Sequence, residues 1–375
     1  MNRYYNPVRT LQGPGCLREL GPMLEEMSLP GNRVLLLAWD ESVFQNPVFS
    51  ALLGEESGLT VRPLCFQSSN PTVAQLFDVY RQTRDFAPDA VVAVGGGSIL
   101  DVGKSLCCLY GGEIGDTDAL RAMIRDKSYG PPTARWIGVP TTAGTGSEVT
   151  CWATIWDPEQ DSKWSVERRD NYAYGALVDP DLTREIPLPL AVSSALDAAA
   201  HAAESYWARG TNCASRALAL EAVRVVMGAV DGLPDGEDAA HDAMARGSLL
   251  AGLAFSNTKT TACHSISYPL TMRHHIPHGA AVSLLLAPVL RLNAPAVDGL
   301  PALLDALGVS GAEELGERIG ALLRRAGLAA SLRDWGVERE ELPLLARLGM
   351  TKGRADNNPV EITPAIIQSI LTEIY

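Results

Sequence analysis

Residues 90–104 read AVVAVGGGSILDVGK. Residues 90–94 are apolar, show no polar alternation and are too few for a helix, which predicts a strand buried on both faces. Gly95, Gly96, Gly97 and Ser98 break the run, and residues 99–109 return to helical spacing. Strand, glycine turn and helix open a βαβ unit, and the flanking sequence repeats the pattern. Residues 34–39 (VLLLAW) and 61–66 read as further buried strands, 72–86 as a helix, and 135–139 as a strand ending at Pro140. This alternation predicts a mostly parallel sheet. Residues 151–156 and 163–166 flank the polar stretch DPEQDS and read as a hairpin.

The texture changes at VDPDLTREIPLPL, where Pro180, Pro187 and Pro189 punctuate the chain. Long Ala- and Leu-rich segments follow at 194–208, 214–230, 239–254 and 311–326, and no strand is expected beyond Val178. A chain of 375 residues exceeds the usual single core, so two domains are expected: an α/β domain over 1–185 and an all-helical domain over 186–375. The net charge of −13 argues against a nucleic-acid or anionic-membrane partner. Seven cysteines without a CxxC pair read as reduced thiols of a cytoplasmic protein. The first residues carry no apolar leader, and no run long enough to span a membrane is expected.

The turn at Gly95, Gly96, Gly97 and Ser98 has the layout needed to cradle a pyrophosphate. Glycines let the backbone approach phosphate oxygens, and the helix start offers unpaired N–H groups. The alternative is a tight strand-to-helix turn. A second loop, TTAGTGSE, follows the strand at 135–139 and contributes Thr141, Thr142, Thr145 and Ser147 as candidate phosphate and ribose contacts. Two such loops at strand ends fit a dinucleotide site in an open α/β sheet. Asp40, just after the first of these strands, is placed to hold the adenosine ribose and disfavour a 2′-phosphate, which predicts NAD(H) over NADP(H). A solvated turn carboxylate is the other reading.

Asp197 and His201 stand one helical turn apart in LDAAAHAAES, so a carboxylate and an imidazole share a face. His264 and His278 complete a set of one carboxylate and three imidazoles, which suits Fe²⁺ or Zn²⁺. A single histidine on an apolar face is more often a core residue, but an aspartate among alanines needs a reason to be buried. Glu204, one turn after His201, reads as a supporting or surface group. A metal and a dinucleotide in one chain point to hydride transfer.

These motifs resemble the iron-containing (group III) alcohol dehydrogenases. The match is carried by GGGSILDVGK with Ser98, Asp101 and Lys104, by PTTAGTGSEVT, by VDPDLT, by LDAAAHAAES and by IPHG, in that order along the chain. The resemblance implies a Rossmann-like nucleotide domain followed by a helical metal-binding domain of the dehydroquinate synthase-like type. It also implies a homodimer or larger assembly, Asp101 among the cofactor contacts, and Lys163 near the nicotinamide ribose. Tyr268 stands where many members carry a further histidine, so proton relay at that point does not carry over. Tyr268 is expected to shape the pocket, with a role as a donor the alternative.

The segments TMRHHIPHG and TKGRADNNPV place Arg273, His274, His275, Lys352, Arg354, Asn357 and Asn358 as candidate substrate groups. Basic residues beside a ligand segment in an acidic chain suggest an anionic substrate, and Arg suits a phosphate-like group. The alternative is a pair of solvated loops. These segments are similar to those of the phosphonoacetaldehyde reductases of the family, which implies reduction of phosphonoacetaldehyde to 2-hydroxyethylphosphonate in phosphonate biosynthesis. The competing readings are a generic short-chain alcohol dehydrogenase or lactaldehyde reductase, a dehydroquinate synthase or glycerol-1-phosphate dehydrogenase chemistry, and a non-catalytic metal-binding scaffold.

Overall fold

The computed structural model describes residues 3–375 and divides into two compact units. The first comprises Asn6–Thr142 and Ser147–Leu182. Its strands are β1 (Arg9–Gln12), β2 (Arg33–Ala38), β3 (Thr60–Cys65), β4 (Ala90–Gly95), β5 (Arg135–Pro140) and β8 (Gly175–Val178), with β6 (Trp152–Asp157) and β7 (Ser162–Glu167) between the last two. Six of them form a parallel sheet in the order β1-β8-β5-β4-β2-β3. The antiparallel pair β6–β7 sets Trp156 opposite Lys163, the hairpin that the flanks of DPEQDS predict.

Helices α1 (Leu20–Glu26) to α5 (Thr117–Arg125) cover the sheet, with α2 (Pro47–Leu53), α3 (Val73–Thr83) and α4 (Gly97–Leu109) between them. Alternate residues of β2 serve opposite faces. Leu35 and Leu37 pack with α3 and α4, while Val34 and Leu36 pack with α1 and α2. A strand used on both faces must be apolar throughout, which is why VLLLA and AVVAV lack alternation. Thr72 and Gln75 form a reciprocal capping box that starts α3. The chain leaves β2 toward β3 and leaves β4 toward β5, so the strand order reverses between the carboxyl ends of β2 and β4. In open α/β sheets this reversal is where ligands bind.

The second unit comprises Thr183–Tyr375 and the four-residue segment Ala143–Gly146. Tyr4 and Tyr5 also belong to it, bonding Leu253 and Asn257. Thr145, read from the sequence as part of the α/β domain, therefore packs with the helices instead. The unit is built from α6 (Leu188–Trp207), α7 (Cys213–Ala229), α8 (Asp238–Thr258), α9 (Ala262–His274), α10 (His278–Asn293), α11 (Leu300–Leu307), α12 (Ala312–Arg325), α13 (Leu342–Leu348) and α14 (Pro364–Glu373). Helix α6 is buried along most of its length, and its alanines let α7, α8 and α10 pack closely around it. Residues 278–296 have a mean hydropathy of 1.3, enough by length and composition alone to cross a membrane. However, 72% of that window is buried inside the protein, as in a core helix.

Candidate metal centre and nucleotide loop

Helix α6 carries Asp197 and His201 on one face, and α9 brings His264 against them. His264 Nε2 lies 3.4 Å from Asp197 Oδ1, and His201 Nδ1 lies 3.8 Å from Asp197 Oδ2. The His201 and His264 rings are 4.3 Å apart between centroids. Each of the three residues offers one ligand atom, and these atoms lie within 4.8 Å of one another. His278, the first residue of α10, sets its ring 5.4 Å from that of His264. Tyr268 is buried and stacks on His278 at 6.0 Å and 11°.

Asp197 Oδ1, His201 Nδ1 and His264 Nε2 are buried and accept or donate no hydrogen bond of good geometry. Buried polar atoms are nearly always satisfied. Three orphaned atoms facing one another, with an oxygen and two nitrogens among them, fit a divalent cation of the Fe²⁺ or Zn²⁺ class.

Surrounding bonds fix the ring orientations. Glu204, fully buried, accepts from His264 Nδ1, from Thr261 Oγ1 at 2.7 Å and from the Cys263 N–H at 2.7 Å. Trp207 Nε1 donates to Thr261 Oγ1 at 2.9 Å. A carboxylate on Nδ1 fixes the tautomer that leaves Nε2 as the coordinating atom. His201 stacks on Phe255 at 4.3 Å. Gly144 sits so close to α6 that a Cβ there would lie 2.8 Å from the Ser194 carbonyl oxygen.

The two buried carboxylates, Asp197 and Glu204, favour positive charge between them. Burial pushes Asp197 up, but His201, His264 and His278 outweigh it and hold the carboxyl well below its usual range. Burial holds His201 down at about 4 although Asp197 faces it. Burial opposes the charged form of His264 as well, but Glu204 and Asp197 lift it to about 10.

In the α/β unit, Gly96 caps α4 with extended backbone, and a Cβ on Gly96 would come within 3.4 Å of Thr142. Thr141 donates its N–H to the Gly95 carbonyl at 3.0 Å, joining the two loops. Ser98 Oγ accepts from the Asn70 N–H at 3.0 Å. Asp101 and Ser147 are committed to internal bonds. Ser147 Oγ donates to Asp101 Oδ1 at 2.6 Å, and the Thr154 N–H donates to Asp101 Oδ2 at 2.7 Å. Lys104, fully buried, donates to the Ser147 and Trp152 carbonyls and to Ser147 Oγ and Thr150 Oγ1 at 2.7–3.0 Å. These three residues of the GGGSILDVGK and TGSE motifs thus brace the loop on α4. Asp40 follows β2 at the reversal of strand order, accepting from the Ser42 N–H at 2.8 Å and from Gln67 Nε2 at 3.1 Å. Lys163 on β7 lies 5.9 Å from the Trp156 ring centroid.

The sequence-derived substrate groups separate. Arg273 is exposed on the last turn of α9, and Arg354 is half-buried in the loop before residues 355–357. Asn357 Nδ2 donates to the Thr258 and Thr260 carbonyls at 2.8 and 3.0 Å, and Asn358 pairs with Asn293 at 2.7–2.9 Å. Both asparagines therefore hold backbone and helix together, a correction to their reading as substrate contacts. Asn and Gln amides pair readily with exposed carbonyls, and sequence gives no sign of which carbonyls are exposed. His274 lies 3.6 Å from Glu341, and His275 closes α9 in the left-handed conformation.

Two family descriptions match the chain. "Iron-containing alcohol dehydrogenase" covers residues 7–180, and "Fe-containing alcohol dehydrogenase family, C-terminal" covers 191–375. The chain belongs to the iron-containing alcohol dehydrogenases. Within this family it is 28% identical over 358 residues to the lactaldehyde reductase of Escherichia coli K12, covering 92% of each chain. It is 34% identical over 218 residues to the phosphonoacetaldehyde reductase of Streptomyces viridochromogenes, covering 57% of this chain and 55% of that one. Its fold matches the crystal structure of sulfoacetaldehyde reductase from Bifidobacterium kashiwanohense in complex with NAD⁺ with a TM-score of 0.88, 27% identity, and 100% and 98% coverage. The protein is an oxidoreductase of this family, an alcohol dehydrogenase or aldehyde reductase.

Proposed function

We propose that the protein reduces a short aldehyde bearing a terminal anion, with phosphonoacetaldehyde to 2-hydroxyethylphosphonate as the leading reaction, using NADH and a metal held by Asp197, His201, His264 and His278. The convergence of three orphaned buried atoms carries the metal part of this reading. When bound, a metal of this class polarises a carbonyl as a Lewis acid. Glu204 keeps the His264 ring in its coordinating tautomer, Phe255 fixes the plane of His201, and Tyr268 stacks on His278. Gly95, Gly96, Gly97 and Ser98 offer the start of α4 to the pyrophosphate, with Thr141 and Thr142 beside it. Asp40 holds the adenosine ribose, and Lys163 the nicotinamide ribose. An intact ligand set and loop argue against a non-catalytic scaffold.

The anionic substrate rests on how the basic segments are fastened. The Thr351 N–H donates to Ser265 Oγ at 2.8 Å, one residue after His264. Asn357 bonds the chain just before α9. Arg354 lies between these two stitches, and Arg273 closes the same helix. The specific rival is lactaldehyde reduction, supported by similarity along nearly the whole chain. A panel of phosphonoacetaldehyde, lactaldehyde, succinic semialdehyde and propanal, followed by NADH absorbance, separates them. The expected result is that phosphonoacetaldehyde leads. Arg354→Ala or Arg273→Ala should lower its kcat/KM relative to propanal by roughly ten- to a hundredfold, mostly through KM. Equal efficiency on propanal and phosphonoacetaldehyde would leave the generic aldehyde reductase standing.

Cofactor choice is a separate expectation. Its carboxylate at the reversal of strand order should repel a 2′-phosphate, so NADH should be preferred and Asp40→Gly should narrow the NADH/NADPH ratio by roughly tenfold. An unchanged ratio in the variant would return Asp40 to a purely local role in capping its turn.

A further inference from the structure

Lys259 stands at φ 60° and ψ 178°, at the end of α8. This region, positive φ with extended ψ, is open almost only to glycine. Ala87, Asp161 and His275 also have positive φ, but their ψ values of 66°, 39° and 25° place them in the ordinary left-handed helical region. Lys259 is also the sole Asp, Glu, Lys or Arg in residues 247–263. A residue with no Cβ would hold this turn without strain, yet the chain carries a cation there.

The surroundings force the geometry. Lys259 donates its N–H to the Phe255 carbonyl at 2.8 Å, and its own carbonyl accepts from Thr258 Oγ1 at 2.9 Å. Thr258 Oγ1 also lies 3.0 Å from Ser205 Oγ on α6. Asn357 clamps the carbonyls on both sides, those of Thr258 and Thr260. The strained residue therefore sits one helical turn from the ring stacked on His201 and five residues before His264. The same asparagine ties it to the segment that carries Arg354. Backbone strain that its neighbours over-determine clusters at ligand sites.

We propose that Lys259 reads the substrate's anion: its ammonium is aimed by this turn at the tetrahedral oxyanion, phosphonate or sulfonate, of a short aldehyde. The inference deepens the anionic-aldehyde reading above and rests on it. A lysine is a compact point charge on a flexible stem, suited to a tetrahedral group presented from several directions.

The test compares wild type, Lys259→Gly and Lys259→Arg, each assayed for metal content, melting temperature and kcat/KM on phosphonoacetaldehyde, sulfoacetaldehyde and propanal. Phosphonoacetate binding is measured by calorimetry as a readout free of turnover. Lys259→Gly should hold its metal and melt higher, because glycine relieves the turn. It should nevertheless lose about ten- to a hundredfold in the ratio of anionic to neutral kcat/KM, mostly in KM, and bind phosphonoacetate correspondingly less well. Lys259→Arg should recover part of both. The aldehyde with the larger wild-type ratio identifies the oxyanion. If wild type prefers the anionic aldehydes and Lys259→Gly keeps that preference and the phosphonoacetate affinity, Lys259 is not the reader, while the anionic-aldehyde reading survives. If wild type shows no preference for either anion, that reading fails and this one falls with it.

Discussion

Alanine in place of His264 is expected to strip the bound metal and to lower kcat/KM by at least about a thousandfold, since loss of several kcal/mol of charge stabilisation is worth three or more decades. His278→Ala should act in the same direction. His264 is the sharper test because each of its nitrogens faces a buried carboxylate. Nδ1 donates to Glu204, and Nε2 faces Asp197 at 3.4 Å. Its removal leaves Glu204 buried with two donors instead of three, and Asp197 facing a hole. The nucleotide loop lies on other elements, β4 and α4, so NADH binding followed by fluorescence should be largely retained. Metal content by elemental analysis and NADH affinity are thus expected to part company in one variant. Full metal loading with wild-type turnover in His264→Ala would end the assignment of the centre.

How far the sequence alone reaches depends on the physical origin of each feature. AVVAVGGGS is legible because a strand packed on both faces must be apolar throughout and a phosphate turn must be glycine-rich. Asp197 and His201 are legible because one helical turn separates them. Strands β1 and β8 escape detection since each is four residues long. Helices α9 and α10 are obscured by Pro269 and Pro288 inside them, and in α9 by buried Ser265, Ser267 and Thr271 on what periodicity would treat as a polar face. Glu204 reads from the sequence as a supporting or surface group, and its bond to His264 is out of reach of sequence because that contact spans 60 residues. Asn357 and Asn358 mislead for the converse reason. Beside two basic residues they resemble binding groups, while their amides serve carbonyls and a partner amide far along the chain. The strain at Lys259 leaves no trace in residue type. A lysine in a sequence carries no information about φ.

The close approach of α10 to α6 yields the second large expectation. Gly279 directly follows the ligand His278, and a Cβ built on it would lie 2.0 Å from the Ser193 carbonyl oxygen and 2.7 Å from the Ser193 carbonyl carbon. Both atoms belong to the backbone of a buried helix, so no side chain can swing aside. The two helices must separate instead. Overpacking of this kind costs about 1–3 kcal/mol, and a clash with backbone belongs at the upper end or beyond it. Separation also moves His278 on α10 away from Asp197 and His201 on α6, so metal affinity should fall together with stability. Gly228→Ala provides the control. Gly228 is an exposed residue of α7 with no atom within 4 Å of its added Cβ. The same chemical change there should stabilise the protein by about 0.5–1 kcal/mol, because alanine is the better helix former. Thermal melts and metal content of the two variants should therefore move in opposite directions from wild type. A Gly279→Ala protein that melts with wild type and keeps its full metal would show that α10 does not depend on this contact to place His278.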